Sequence, residues 1–345
     1  VIPQLALFFA TCALCWFLFH KMGWSNWHWM LPVLLLALFI HGTFGAFMNS
    51  GGPVHELCHK TPFRTKALNE FFLKVYSFIS WADYIGFRPS HVKHHQATVH
   101  ADHDGEVVLP QKLDWYTAKF FFTQLVFDPS YIYNGLKWWI WAAMGEIKEW
   151  IFGAEWMNQV VPKTNTKLRR EHRRWAQIVL FGHTALVIVF IATGQWFLII
   201  PFTLGASCCS WLGLLCARPQ HIGLSPNVPD FRLCCRTYTC GWLPSFLYWN
   251  MQYHVEHHMF PSVPFYNLPK LRKLIEADLP PVTHGLWATW KEIIVIIKKQ
   301  KEDPNYVFIP KLPQSKGEYA DDTVLEREAA EGSEEASVVA TPVMS

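Results

Sequence analysis

The sequence predicts an all-α, multi-pass membrane protein: two transmembrane helical hairpins, about four spans, carrying a histidine-rich helical cap on the cytoplasmic side. Long apolar stretches occur in two pairs, each pair joined by a short polar turn. Aromatic residues reach 16%, with 18 Trp and 26 Phe, which suits membrane–water interfaces where a ring has one wet edge and an apolar body. A basic run stands immediately before the second pair.

The first stretch runs from Val1 to Phe19 and the second from Trp29 to Met48, each near the roughly 20 residues that cross a bilayer. Between them, the segment from Lys21 to Trp29 reads as an interfacial turn rich in Trp. The third stretch runs from Ala176 to Thr193 and the fourth from Gln195 to Cys216, with a turn at Thr193–Trp196. Lys167-Leu-Arg-Arg-Glu-His-Arg-Arg174 precedes the third stretch and favours the cytoplasmic face. An even number of spans then places both termini there. The endoplasmic reticulum is the expected membrane for this cysteine-rich, tailed chain, with a bacterial inner membrane as the alternative.

Ala67 to Phe87, Trp115 to Phe127 and Tyr131 to Trp156 are aromatic but interrupted by polar residues, and read as interfacial or buried helices. Leu286 to Gln300 mixes aliphatic residues with Lys and Glu, as a helix lying on a surface does. From Ser315 the composition turns acidic and small, so residues 1–314 form the membrane domain and 315–345 a disordered tail. The net charge of +3 gives no reason to expect a nucleic acid partner. The nine cysteines show neither a disulfide framework nor zinc-finger spacing, and read mostly as buried reduced thiols.

Three histidine clusters carry the chemistry: His55-Glu-Leu-Cys-His59, His91-Val-Lys-His94-His95 and His254-Val-Glu-His257-His258. Residues three and four apart share one helix face, so His55 and His59 can point at one metal. In the other two clusters the flanking positions converge and the middle pair can split between two metals. Neutral imidazole suits iron, copper and zinc. These histidines exceed the needs of one four-coordinate ion, and two adjacent metals would use them. Lone histidines near a membrane are more often hydrogen-bonded core or interface residues than ligands, which is the reading for His20, His28, His41, His172 and His183. His221 is a candidate ninth ligand. Asn250, one turn before His254, reads either as a metal or water ligand or as a helix-surface amide. Downstream of the second cluster lie His100, Asp102, His103, Asp104 and Glu106. Carboxylates there can accept the second N–H of a ligating imidazole, or form a solvated loop. Glu56 and Asp104 are the carboxylates placed behind the ligands.

These residues resemble the membrane fatty acid desaturase superfamily, which includes related hydroxylases and carotenoid ketolases. Its pattern is an HxxxH box followed by two HxxHH boxes around two membrane hairpins, matched here by His55–His59, His91–His95 and His254–His258. The run from His91 to Pro110 looks like the second-box region of acyl-lipid desaturases. The run from Tyr253 to Pro264, followed by Leu268-Pro269, looks like the third-box region of bacterial-type desaturases and ketolases. The likeness covers roughly residues 30 to 280. It implies two iron ions held by the box histidines and His221, and dioxygen as co-substrate. It also implies a lipid-like substrate from the membrane and an external electron donor of cytochrome b5 or ferredoxin type. The expected reaction introduces a C=C bond into a fatty acyl chain, with hydroxylation, epoxidation or ketone formation as alternatives. His254 stands where front-end desaturases carry Gln, and no cytochrome b5 motif is visible, so a fused front-end enzyme is not expected. From a different class, His55-Glu56-Leu57-Cys58-His59 also reads as HExxH, the zinc metalloprotease motif in which Glu is the general base. That reading leaves both HxxHH clusters unexplained.

Overall fold

The computed structural model describes residues 1–49, 51–107, 129–149, 153–207 and 209–313. The expected helix Trp115–Phe127 and the tail 315–345 lie outside the described residues. Among the described residues helices dominate, with one parallel pair of two-residue strands, β1 (Tyr238–Thr239) and β2 (Thr283–His284).

The first two apolar stretches form a hairpin, α1 (Ile2–Lys21) and α2 (Trp27–Ala46). Trp24 at its tip is 97% exposed, and apolar side chains such as Phe9, Leu14, Phe17, Leu35 and Leu36 face outward. A helix that is apolar on its open face as well as its packed one is built for lipid. Among the described residues three helices are long and apolar enough to cross a membrane: α1, α2 and Thr166–Ala192. The last starts ahead of the expected Ala176, because Asn165 caps it by accepting from the Leu168 amide at 3.1 Å. The basic run thereby becomes its first turns.

The fourth stretch differs from a single α-helix. It runs as a 3-10 turn at Trp196–Leu198, a wide π turn at Ile199–Thr203, a 3-10 turn at Gly205–Ser207 and a short α-helix at Trp211–Ala217. Pro201 removes a backbone donor, and Gly205 packs so tightly that a Cβ there would lie 2.7 Å from His41 Nε2. The stretch nevertheless packs along α2 and returns the chain to His221.

The segment Ala67–Phe87 divides into α4 (Lys66–Ile79) and α5 (Tyr84–Gln96), which follow the short α3 (Pro53–His59). The break comes at Trp81, in the left-handed region with φ 54°, and Asp83 restarts the chain by capping α5 at the Gly86 amide. The segment Tyr131–Trp156 likewise divides into α6 (Pro129–Met144) and α7 (Ala154–Val160), with Gly145 and Gly153 at φ 91° and 78° between them. The Thr166–Ala192 helix is α8 and Trp211–Ala217 is α9. After them come α10 (Phe231–Cys234), α11 (Trp242–Leu247), α12 (His254–Met259), α13 (Leu268–Leu274) and α14 (Leu286–Glu302). The surface helix expected over Leu286–Gln300 is α14, which buries Trp290, Ile293 and Ile297 and exposes its lysines.

Two sets of contacts register the helices against the histidine layer. At the near end, Gln4 of α1 is buried, accepts from Trp249 Nε1 at 2.6 Å and donates to the Leu247 carbonyl at 3.1 Å, which ties α1 to the turn before α12. At the far end, Phe19 stacks on Phe197 with centroids 4.1 Å apart, and Trp16 donates to Gln195. Three of the lone histidines are internal ties: His172 binds Asp83 at 2.7 Å, His183 the Phe78 carbonyl at 2.9 Å, and His41 the Pro201 carbonyl at 2.6 Å. His20 binds the Trp16 carbonyl, and His28 is exposed.

Candidate metal centre

Four pieces of chain bring histidines together. Pro53 starts α3 directly after α2, and its single turns carry His55 and His59. Asp83 fixes the start of α5, which carries His91, His94 and His95. His221 ends the turn Arg218–Gln220, where the buried Arg236 guanidinium donates to the carbonyls of Pro219 and Ile222 on either side. The start of α12 is set by Thr237, whose hydroxyl oxygen accepts from the Val255 amide, and its middle by Glu256, which pairs with buried Arg272 at 3.2 Å.

The nine histidines fall into two groups, His55, His59, His91, His95 and His257 in one and His94, His221, His254 and His258 in the other, with the ligand atoms of each within 4.8 Å of one another. The division is reciprocal. Helix α5 gives its i and i+4 residues to the first group and its i+3 residue to the second; α12 gives its i and i+4 residues to the second group and its i+3 residue to the first. Within the first group Nε2 of His91 lies 3.1 Å from Nε2 of His59 and 3.0 Å from that of His95, and His257 Nε2 lies 3.2 Å from His95 Nε2. Within the second, His254 Nε2 lies 2.9 Å from His221 Nε2 and 3.0 Å from His258 Nε2. Nitrogens about 2.1 Å from one ion and at right angles are about 3.0 Å apart. These spacings match the edges of a coordination polyhedron.

The opposite ring edges decide which nitrogen carries the proton. His94 Nδ1 donates to Asp104 at 2.8 Å, and Asp104 is held as an acceptor by the amides of Val99 and Glu106. His91 Nδ1 donates to Glu106 at 3.0 Å. His221 Nδ1 donates to the Cys234 carbonyl at 2.9 Å. The Thr98 hydroxyl donates to the His94 carbonyl and so accepts from His258 Nδ1 at 3.0 Å. With Nδ1 protonated, the Nε2 lone pairs face inward, and acceptors at this position fix ring orientation and raise ligand basicity.

Burial, reinforced by neighbouring histidines, drives the rings toward the neutral form. It lowers His55 to about 3, His59 to about 4 and His221 to about 3. His91, His254, His257 and His258 fall well below the ordinary imidazole range for the same reason. Burial also pushes the Glu56 and Glu106 carboxyls up to about 7. Imidazole nitrogens gathered in sets of five and four fit two divalent cations of the softness of iron or zinc. The second group is wholly buried, whereas His59 and His95 leave the first partly open. Beside the first group lies a cavity of about 430 Å³ lined by Asn49, Phe87, Ser90, Glu106, Trp138 and Met157, among others.

Glu56 is fully buried behind the rings. Its Oε1 lies 3.4 Å from His55 Nδ1 and 3.5 Å from His257 Nδ1, while Oε2 accepts from the Thr61 hydroxyl and the Phe265 amide. A metalloprotease base must face the metal-bound water on the Nε2 side. Here the carboxylate is on the other side, so the HExxH reading is not supported by the geometry. Asn250 donates to the Phe265 carbonyl at 3.1 Å and so braces the residue whose amide binds Glu56. His100 bonds the Thr98 carbonyl, and Asp102 and His103 are exposed.

Thr98, Ser90, Thr61, Thr237, Arg272 and Arg236 also build the site, and sequence reasoning missed them. The available signals were weak: Ser90 directly precedes the second box, and Thr98 lies one helical turn beyond His94.

The fatty acid desaturase family model matches residues 28–290, well over half of the chain. The Delta(6)-fatty-acid desaturase fat-3 of Caenorhabditis elegans is 25% identical over 291 residues, covering 75% of this chain. The chain spans 60% of the length of that relative. The matched region encloses all three histidine boxes and His221, and the chain belongs to the fatty acid desaturase family.

Proposed function

We propose that the protein is an oxygen-dependent di-iron membrane desaturase that introduces a C=C bond into a fatty acyl or related lipid chain. The observation that carries this is the division of nine histidines into a five-membered and a four-membered group, with Nε2 atoms about 3 Å apart, in a chain of this family. Removing hydrogen from an unactivated methylene needs a stronger oxidant than any side chain, and two irons held in these groups would supply it by activating dioxygen.

The chain's own residues do the rest. His55, His59, His91, His95 and His257 would hold one iron, and His94, His221, His254 and His258 the other. Asp104, Glu106, Thr98 and the Cys234 carbonyl keep four of those rings in the tautomer that presents Nε2. Burial of the second group excludes water from it, and the open edge at His59 and His95 leaves a side for substrate. The family and the name of the relative support a fatty acyl substrate.

The membrane arrangement follows from the same ends. The near ends of α1, α2 and α8 meet the histidine layer, and the chain after α8 must return to place His221. We therefore assign the fourth crossing to the interrupted stretch from Trp196 to Ala217. The basic turns of α8 then face the cytoplasm with the histidine cap, in the endoplasmic reticulum. Electrons come from a partner of cytochrome b5 or ferredoxin type docking on that face.

The test is metal content of the purified full chain together with lipid profiling of a host expressing it. Two irons per chain and a new unsaturated lipid, both dependent on His94 and His257, are expected. A single zinc insensitive to both histidines would overturn the proposal.

A further inference from the structure

We infer that Trp156 is a positioning residue for His91, acting through Ser90 and Glu106 to fix which nitrogen of that ring faces the first histidine group. The inference rests on the two-metal reading above. It is carried by hydrogen-bond direction. An indole N–H can only donate. Trp156 Nε1 donates to Ser90 Oγ at 2.8 Å, across 66 residues of sequence. Ser90 then turns its own proton to Glu106 Oε1 at 2.6 Å. The other carboxylate oxygen, Oε2, accepts from His91 Nδ1 at 3.0 Å. With the ring proton held there, the lone pair lies on Nε2, the atom 3.1 Å from His59 Nε2 and 3.0 Å from His95 Nε2. Each proton in the row is placed by the one before it, and the first belongs to a group that cannot accept.

The surroundings are shaped for this row. Ser90 is 4% exposed, and its hydroxyl is engaged on both sides, by the indole N–H and by the Glu106 carboxylate. The indole lies flat against the chain at Gly105, where a Cβ would come within 2.1 Å of its Cδ2. The neighbouring Met157 fills a second notch, at Gly86, where a Cβ would meet its methyl at 2.1 Å. Helix α7 thus seats Met157 on α5 at Gly86 and Trp156 on the following loop at Gly105, which holds the indole nitrogen over Ser90, while the Lys93 ammonium lies 5.3 Å from the ring centroid.

The probe is Co(II), loaded into the metal-stripped full chain, with its visible absorption and its release to a chelator recorded over time. Two release phases are expected, and the phase missing in His59→Ala belongs to the five-histidine group. Trp156→Phe keeps the ring on Gly105 but deletes the N–H. It should speed that phase about tenfold and shift its absorption, leaving the other phase unchanged. Ser90→Ala should do the same, and it carries the test if the Trp variant fails to fold. The double variant should be no worse than either single one, because both break one row. Unchanged release in the single variants, or additive effects in the double, would overturn the inference while leaving the two-metal reading intact. A wild-type chain that takes up fewer than two cobalt ions would overturn that reading, and the inference with it.

Discussion

The carboxylate of Glu56 lies behind the ring of His257, with Oε1 3.5 Å from Nδ1, and reaches neither Nε2 nor the space the Nε2 atoms enclose. Two donors bond its Oε2, the Thr61 hydroxyl and the Phe265 amide, while the Nδ1 edges of His55 and His257 lie 3.4 and 3.5 Å from Oε1. A Gln in its place would turn an amide donor toward one of them. Glu56→Gln should therefore weaken metal at the five-histidine group by about 10-fold or more, with product falling in step. Metal content measured beside activity decides the matter. A variant with full metal and no activity is the result a hydrolytic base would give, and it would count against the oxidase.

The reciprocal exchange between α5 and α12 makes a sharper prediction. His94 leaves its own helix partners to join His254 and His258, and His257 leaves its partners to join His91 and His95. His94→Ala should therefore empty the four-histidine group while the other keeps its metal, and His257→Ala should do the reverse. Both should reduce product formation by at least about 100-fold, since the proposed two-iron chemistry needs both ions. Metal counting on each variant checks it. Loss of the same metal from both variants would show that the helices do not exchange residues in this way.

The contrast between these two residues and Trp156 shows how far sequence reaches. His94 and His257 are legible because helical spacing is local: three residues apart puts a side chain to one side of a pair four apart, so splitting between two ions can be read from the boxes. Glu56, lying inside the first box, and Asp104, ten residues from His94, are legible for the same reason. Trp156, Arg272 and Thr237 are not, because their partners are set by which helix lies beside which. The hairpin α1–α2 follows from apolar length alone. The fourth stretch has similar length and composition, yet Pro201 and Gly205 break its helix, and hydropathy weighs neither residue for that. Trp81 divides one aromatic segment into α4 and α5 through a left-handed backbone angle that Trp rarely adopts.

Arg272 and Glu256 form a buried pair inside the third box, with Glu256 completely enclosed and Arg272 6% exposed. Removing one partner strands a charge in the interior. Arg272→Met should destabilise the chain by about 3–5 kcal/mol. Glu256→Gln combined with Arg272→Met should recover much of that, because the glutamine amide can still bond Thr237. Thermal unfolding of the detergent-solubilised variants measures both. A single variant as stable as wild type would mean the pair does not hold α12 in place.

Metal removal should destabilise the fold itself. The Nδ1 atoms of His91, His94, His221 and His258 have acceptors, so their protons are engaged there and their Nε2 lone pairs face inward. Without a cation the layer that joins α3, α5 and α12 keeps only imidazole-to-imidazole hydrogen bonds, such as that between His95 Nε2 and His91 Nε2 at 3.0 Å, in place of metal coordination. A bound ion at 100-fold excess over its Kd stabilises the folded state by about 2.7 kcal/mol per site. The chelated chain should accordingly melt several degrees or more below the metal-loaded one. Fe(II), Co(II) or Zn(II) should restore the loss, because imidazole suits them, whereas Ca(II) and Mg(II), which require oxygen ligands, should not. The measurement is the unfolding temperature before chelation, after it, and after each ion is returned. Recovery with Mg(II), or no change on chelation, would mean that the histidine layer is held by the protein alone.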